Sequence, residues 1–253
     1  MIDTHAHLDF PEFADDLEQV LAAADAAGIR RIVNIGTDLK SSKGSVELAV
    51  KHQQIFAAVG FHPHDARHFD SEAEKQIRDL ANNFKVVAIG EIGLDFYRDH
   101  SPRDTQREVF RKQIALAREI SLPIVIHIRE AYREAIDMLA EEKAYEVNVV
   151  LHCFSGSRDD AFRALDYGFY LSIGGVLTFT NSRLGELVRE LPIEHILLET
   201  DAPFLTPHPH RGRRNQPAYV ELVYRKLAEI LNRDFREIEA TIDRNAETFF
   251  EFE

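Results

Sequence analysis

Residues 85–91 read KVVAIGE, a short apolar run that ends in a carboxylate. Four apolar residues and a glycine separate Lys85 from Glu91. A near-continuous apolar run of this length is typical of a strand covered on both faces, as in a parallel sheet. A carboxylate next to such a run is costly to bury unless it is paired or bound to a metal ion. The stretch therefore predicts a parallel α/β protein with a polar site where a strand ends.

Seven similar runs occur along the chain, separated by stretches of helical character. The eight predicted strands cover residues 2–6, 31–36, 55–61, 85–90, 123–128, 147–152, 169–173 and 195–200. Predicted helices include residues 14–27, 104–120, 158–167, 216–231 and 234–243. Repeated βα alternation with eight strands favours a TIM-type (β/α)₈ barrel, formed as a single domain by residues 1–253, over an open sheet.

The composition agrees with this fold and limits the possible partners. The 253 residues match the usual length of such a barrel, and 45% of them are hydrophobic. The net charge of −13 opposes a broad surface for coating nucleic acid. A pair of bound divalent cations would invert that sign locally, and Arg211-Gly212-Arg213-Arg214 forms a basic loop. The charge therefore still permits an enzyme that grips one end of a nucleic acid.

The cysteine count and the N-terminal residues suggest a location. Cys153 is the single cysteine, so neither an internal disulfide nor a thiolate zinc site is expected. The chain starts Met1-Ile2-Asp3 without a basic, apolar leader, and it has no apolar run of about 18 residues. We expect a soluble cytoplasmic protein without a membrane span; its oligomeric state stays open, a monomer included.

Polar side chains follow the apolar runs at several predicted strand ends. The candidate metal ligands are His5, His7, Glu91, His127, His152 and Asp201. His5 and His7 alternate along a strand and face the same side, although alone they could equally be hydrogen-bonded structural histidines. Because active sites of barrels form at the C-terminal ends of the strands, we expect all six to meet there.

Four histidines and two carboxylates suit Zn²⁺, Mn²⁺ or Mg²⁺. Six protein ligands are too many for one catalytic ion that must keep an open position. Two divalent cations about 3.5–4 Å apart that share a carboxylate would use all six, and Glu91 is the natural bridge.

The motifs MIDTHAHLDF, GFHPHD, GEIGLDFYR, PIVIHIRE, LHCFSG and ETDAPFL, followed by RNQP, resemble the TatD family of metal-dependent hydrolases. They occur in order from residue 1 to the last helix. The resemblance implies the barrel, two divalent cations and deoxyribonuclease activity of the 3′→5′ exonuclease type. It assigns His5, His7, Glu91 and Asp201 to the first ion, and Glu91, His127 and His152 to the second.

Three residues are candidates for catalysis. Asp201 would accept a proton from the attacking water, or it would be a ligand only. Glu91 would bridge the two ions. His62 would contact the phosphate or donate a proton to the leaving group, or it would only support the other residues.

Further residues are candidates for binding the substrate. Arg129 would clamp a phosphate oxygen, or it would form an ion pair with a neighbouring helix. Asp95 would position the substrate or cap a turn. Arg213, Arg214 and Asn215 would contact a nucleic acid backbone, or they would belong to an ordinary surface loop. We expect His64 to be a surface residue.

The predicted substrate is DNA, single-stranded or at its 3′ ends. One alternative is a carbonyl substrate, such as an aminoacyl-tRNA ester or an amide, because the ligands define how water is activated more than what it attacks. Another is a non-catalytic nucleic-acid-binding barrel, which the six intact ligand positions oppose.

Overall fold

A computed structural model describes residues 1–252 of the chain as a barrel of eight parallel strands. The strands are β1 Ile2–Ala6, β2 Arg31–Ile35, β3 Ile55–Val59, β4 Val86–Asp95, β5 Ile124–Arg129, β6 Val149–Leu151, β7 Tyr170–Ile173 and β8 Ile196–Leu198. Each strand pairs in parallel with the next one along the chain. The predicted (β/α)₈ barrel is therefore confirmed.

Helices alternate with the strands and cover the barrel. They are α1 Leu17–Ala26, α2 Leu39–Lys51, α3 Ser71–Ala81, α4 Arg103–Glu119, α5 Tyr132–Glu141, α6 Arg158–Asp166, α7 Leu184–Val188, α8 Val220–Leu231 and α9 Phe235–Phe250. The predicted end of the last helix at residue 243 is wrong. Asp243 is buried, where it accepts hydrogen bonds from Arg30 and Tyr224, and the helix continues until Phe249 and Phe250 pack against the apolar side chains inside the barrel.

Backbone hydrogen bonds join β1 to the segment after β8. The Asp201 N–H donates to the His5 carbonyl over 2.9 Å, and the His7 N–H donates to the Ala202 carbonyl over 2.8 Å. These two bonds close the barrel and bring Asp201 beside the two histidines of the first strand.

Strand β4 extends beyond its predicted end at residue 90. Residues 92–95 continue to pair with β5, so Glu91 lies within the strand. Gly93 permits this close approach: its φ is +146°, and a Cβ there would lie 2.0 Å from the His127 carbonyl oxygen. A left-handed φ and contact this close together require glycine.

Within residues 1–252, no helix is long and apolar enough to cross a membrane.

Candidate metal centre

The six predicted ligands meet at the C-terminal end of the barrel. Five of them line a cleft of about 380 Å³ there, and His5 lies buried directly beneath it. The five are His7, Glu91, His127, His152 and Asp201. The convergence follows from the parallel topology, because the C-terminal ends of all eight strands share one rim.

The first group of ligand atoms surrounds one oxygen of Glu91. Glu91 Oε2 lies 3.5 Å from His5 Nε2 and 3.8 Å from His7 Nε2. Asp201 Oδ1 lies 3.8 and 3.5 Å from the same two nitrogens, which are 3.2 Å apart. Four ligands at 2.0–2.1 Å from a tetrahedral ion are about 3.3 Å from one another. The spacing of these atoms therefore fits a divalent cation.

The second group surrounds the other oxygen of Glu91. Glu91 Oε1 lies 2.8 Å from His152 Nε2 and 3.0 Å from His127 Nδ1. His62 Nε2 approaches the same oxygen at 3.6 Å. One carboxylate thus presents one oxygen to each group, which is the arrangement expected of a bridging ligand.

Acceptor oxygens lie on the far side of three histidine rings; they form hydrogen bonds with His7 and His127 and an ion contact with His152. His7 Nδ1 lies 3.0 Å from the Ile35 carbonyl, and His127 Nε2 lies 3.1 Å from Asp95 Oδ2. His152 Nδ1 lies 3.5 Å from Glu199 Oε1. Because a neutral ring carries one proton, a proton donated to these acceptors leaves the opposite nitrogen free to bind a metal ion.

Three buried atoms of the centre lack a hydrogen-bond partner among residues 1–252. They are His5 Nδ1, His152 Nδ1 and Glu199 Oε2. The His5 ring stacks on His152, with ring centroids 3.9 Å apart and planes inclined by 10°. Packing rather than a hydrogen bond thus orients His5.

The charges of the centre are strongly coupled. Burial alone would raise the pKa of Glu91, but the surrounding histidines hold that pKa well below its usual range. Burial lowers the pKa of His5, whereas at His7, His127 and His152 neighbouring carboxylates outweigh burial and raise the pKa. Protons on these rings balance the carboxylates, and bound cations would replace those protons.

His62 differs from the four histidines among the predicted ligands. Its Nδ1 accepts the N–H of His64 over 3.0 Å, so a neutral His62 ring carries its proton on Nε2. Burial, together with the nearby His127, places its pKa well below the usual value. His62 therefore directs an N–H, rather than a lone pair, toward Glu91.

Asp95 caps a turn, which is one of the two roles considered for it, and it also contacts two histidines. Its Oδ1 accepts the N–H groups of Tyr97 and Arg98 and caps the turn after β4. Its Oδ2 contacts both His127 and His64, the latter over 2.9 Å. Burial would raise the pKa of Asp95, but these hydrogen bonds outweigh it and lower the pKa.

His64 lies at the cleft, so the expected surface position is wrong. Its ring lines the cleft and packs against His62, with ring centroids 4.2 Å apart. The 3-10 turn Pro63–His68 keeps it beside His62, and the motif GFHPHD was the signal for this.

The remaining candidates separate into those at the cleft and those away from it. Arg129 lines the cleft, stacks over Tyr97 at 4.9 Å and has no carboxylate partner among residues 1–252, so the alternative of an ion pair with a neighbouring helix is not seen. Arg214 forms a bidentate pair with Asp16 and is not among the described residues that line the cleft. Asn215 is fully buried, where it donates to the carbonyls of Thr200 and Phe204, so the proposed contact with nucleic acid is wrong for this residue.

Comparison with known families gives a match over almost the whole chain. Residues 2–251 match the family model described as "TatD related DNase". The chain belongs to this family. The predicted family and the predicted class, a metal-dependent hydrolase, are therefore confirmed.

Individual relatives of this TatD-family chain cover its full length. It is 45% identical over 251 residues to the "Uncharacterized metal-dependent hydrolase YabD" of Bacillus subtilis, with 99% of this chain and 98% of that protein covered. It is 36% identical to the "3'-5' ssDNA/RNA exonuclease TatD" of Enterobacter lignolyticus, with 99% and 98% covered. Among solved structures, the TatD homologue YjjV of Escherichia coli superposes with a TM-score of 0.94 at 31% identity, with 99% and 98% covered.

Proposed function

We propose that this TatD-family hydrolase cleaves phosphodiester bonds from the 3′ end of single-stranded DNA and uses two divalent cations held by six side chains. The observation that carries the proposal is the division of the Glu91 carboxylate. Its Oε2 faces His5 and His7, whereas its Oε1 faces His127 and His152.

The distances suggest how the ligands divide between two cations. His5, His7, Glu91 and Asp201 would hold the first, and Glu91, His127 and His152 would hold the second. When bound, such a pair lowers the pKa of a water molecule and stabilises negative charge on a phosphate. Mg²⁺, Mn²⁺ and Zn²⁺ all suit nitrogen and carboxylate ligands of this kind, so the identity is a matter for measurement.

Asp201 is the proposed acceptor of the proton of the attacking water. It lies in the cleft with a carboxylate held close to His5 and His7. Burial would raise its pKa, but hydrogen bonding to His7 and the nearby histidines lower it, so the group is ionised at neutral pH. An ionised carboxylate at the reacting water is the simplest general base available.

His62 and Arg129 are the proposed partners of the phosphate and the leaving group. The Nε2–H of a neutral His62 is available inside the cleft as a hydrogen-bond donor to the substrate. Arg129 lines the cleft without a carboxylate partner among the described residues, so its guanidinium is available to a phosphate oxygen. Arg214 is already neutralised by Asp16, which makes it the weakest of the proposed contacts.

Exposed aromatic side chains beside the cleft favour an unpaired strand as the substrate. Phe204 lines the cleft and is 48% exposed, and Tyr97, next to Arg129, is 55% exposed. Unpaired bases stack on such rings, whereas bases within a duplex are already stacked. Several relatives are named 3′-5′ ssDNA/RNA exonucleases, which supports a single-stranded substrate and makes RNA the first competitor to test.

We also propose a cytoplasmic location, which the free thiol of Cys153 suits and which cell fractionation would test.

The first test combines metal analysis with end-labelled substrates. We expect two equivalents of divalent metal per chain and early release of a 3′ label from single-stranded DNA, with both metal and activity removed by EDTA. Glu91→Gln should lower kcat/KM by more than about 100-fold. Loss of a residue that only hydrogen-bonds to a metal ligand costs about 10–100-fold, so a larger loss indicates that Glu91 is itself a ligand. Glu229→Gln, on an exposed part of α8, is the matched control.

Several outcomes would reject the proposal. Full activity in Glu91→Gln would rule out a bridging carboxylate. Hydrolysis of an aminoacyl ester without any cleavage of labelled DNA or RNA would instead support the carbonyl substrate. Strand binding by a wild-type protein that hydrolyses nothing with any of the three metals would support the non-catalytic barrel.

A further inference from the structure

Two loops at the C-terminal end of the barrel contain no acidic residue. Residues 174–185, which follow β7, and residues 202–220, which follow β8, include neither Asp nor Glu, although 43 of the 253 residues are acidic. The same segments contain four arginines, Arg183, Arg211, Arg213 and Arg214. We call these two segments together the acid-free platform.

The two segments form one surface. The His208 N–H donates to Thr178 Oγ1 over 2.9 Å, and the Arg211 guanidinium lies 3.9 Å from the centre of the Phe179 ring. Gly175 and Leu205 touch so closely that a Cβ on the glycine would lie 2.1 Å from the leucine carbonyl oxygen. The platform is therefore a packed unit rather than two independent loops.

Its positive charge is largely uncompensated. Arg211 and Arg213 are exposed and have no carboxylate partner among residues 1–252, while Arg214 pairs with Asp16. Most arginines on the outer helices form ion pairs, as Arg225 does with Glu221. Exposed guanidinium groups without local acids attract an anionic polymer even on a chain of net negative charge.

The platform is continuous with the metal centre and is held in place from below. Phe204 and Leu205 belong both to the platform and to the lining of the cleft. Asn215 fixes the start of the loop through the carbonyls of Thr200 and Phe204, and His210 stacks on Tyr219 with ring centroids 4.3 Å apart. The arginines thus stand on a supported loop, which reduces the ordering entropy that binding would cost.

The loops on the other side of the cleft are different. Those after β4 and β5 carry Asp99 and Glu130, and Glu134 follows in the first turn of α5; Asp99 and Glu134 bind arginines of α4. A polyanion that leaves the cleft meets acids on that side and none on the acid-free platform.

We propose that the acid-free platform binds the part of a single nucleic acid strand that lies on the 5′ side of the scissile bond. Arg211 and Arg213 contact its phosphates, and Phe204 stacks on a base at the edge of the cleft. This inference rests on the proposed function, because it takes the 3′ end of the strand to lie at the metal centre.

The test compares two double variants of equal formal charge. Arg211→Gln/Arg213→Gln removes the platform cations, and Arg225→Gln/Arg233→Gln removes two exposed, paired cations of α8 and the turn after it. Fluorescence anisotropy follows the binding of the metal-loaded protein to a labelled single strand with phosphorothioate linkages. The strand has about twelve nucleotides, a length within the usual range for single-strand binding sites. Titrations at about 50 and 200 mM salt give the salt dependence.

We expect the platform variant to bind at least about tenfold more weakly than the control, because the loss of even one charge-assisted hydrogen bond has an effect of about this size. Two lost phosphate contacts should also reduce the slope of log Kd against log salt by about 1.4. The ratio of kcat/KM for the long strand to that for a dinucleotide should fall about tenfold as well, because only the long strand reaches the platform. Arg213→Gln alone, which does not disturb the contact between Arg211 and Phe179, should show about half the change in slope.

Equal Kd values and equal slopes in the two double variants would overturn the platform. Platform-dependent binding by a wild-type protein that cleaves no phosphodiester would support the platform and reject the proposed nuclease function. The two proposals therefore fail through different measurements.

Discussion

The position of one proton distinguishes His62 from the other histidines of the centre. By distance alone, His62 groups with Glu91 and His127 as a set that could hold a metal ion. Its Nδ1, however, accepts the His64 N–H, so coordination through Nε2 would need the ring to lose its remaining proton. We therefore interpret His62 as a hydrogen-bond donor to the substrate and not as a ligand.

This interpretation predicts a particular result for substitutions of His62. His62→Ala should lower kcat by about 10²–10³-fold, the loss seen when one preorganised donor to a reacting oxygen is removed. His62→Gln should recover part of this loss, because its amide can place an N–H near the position of Nε2. Metal analysis of the same preparations should still give two equivalents per chain. A preparation of His62→Ala that had lost one equivalent would show that the ring is a ligand after all.

At the scale of elements, β4 carries the most demanding geometry of the barrel. It holds Glu91 at its middle and Asp95 at its end, and Gly93 lies between them against the carbonyl of His127. Any side chain at residue 93 would push β4 away from β5 and so separate Glu91 from His127. The structure of the strand and the geometry of the centre thus depend on the same glycine.

Gly93→Ala should therefore reduce both stability and metal binding. Backbone strain and overpacking together should cost about 3 kcal/mol, which lowers Tm by roughly 6–12 °C in a domain of this size. Gly168→Ala is the matched control, since Gly168 also has a positive φ, of 78°, but no atom lies within 4 Å of the added Cβ. Calorimetry of the two variants measures the difference. Equal Tm values would mean that β4 can shift without cost.

Much of the architecture was predictable from local sequence. Each strand is a short apolar run, and parallel strands with intervening helices can bury eight such runs only in a few ways. The polar residues that end those runs had to share one rim, so the six candidate ligands were predictable as a group. Glu91 shows the limit: its place inside a longer strand depends on pairing with β5, which the run KVVAIG does not reveal.

Contacts between residues distant in sequence were not predictable. Arg214 resembled a substrate contact, but it pairs with Asp16, which lies 198 residues earlier. Asn215 lies in an apparently exposed basic loop, yet its side chain holds the segment that carries Asp201. The nitrogens that His7 and His127 turn toward the centre likewise depend on acceptors from other strands, Ile35 and Asp95.

For the whole molecule, the main consequence of the centre is a coupling between protons, metal and stability. Without cations, the pKa values of His7, His127 and His152 are raised above the usual value, so these rings hold protons near neutral pH. Such raised values stabilise the metal-free fold below the unfolded pKa of about 6.5, and this contribution is lost as pH rises through the folded values. The lowered pKa values of His5, His62 and His64 act below about 6.5, where they make stability rise with pH, so the histidines of the centre should make the metal-free protein most stable near pH 6.5.

Metal binding adds a further dependence on pH, because each liganding imidazole must first lose its proton. The metal affinity, and with it the gain in Tm on adding metal, should therefore rise with pH from about 6 to about 8, the range that begins near the unperturbed histidine pKa. The metal-free protein should be titrated with metal by calorimetry in buffers of different ionisation enthalpy. Near pH 6.5 we expect the release of two to three protons, about one from each histidine whose pKa is raised, and at pH 8.5 we expect fewer. Glu91→Gln should weaken metal binding and reduce the Tm gain at every pH, while Glu229→Gln should not. A Tm gain that is constant or falls with rising pH would show that these histidines do not bind the cations.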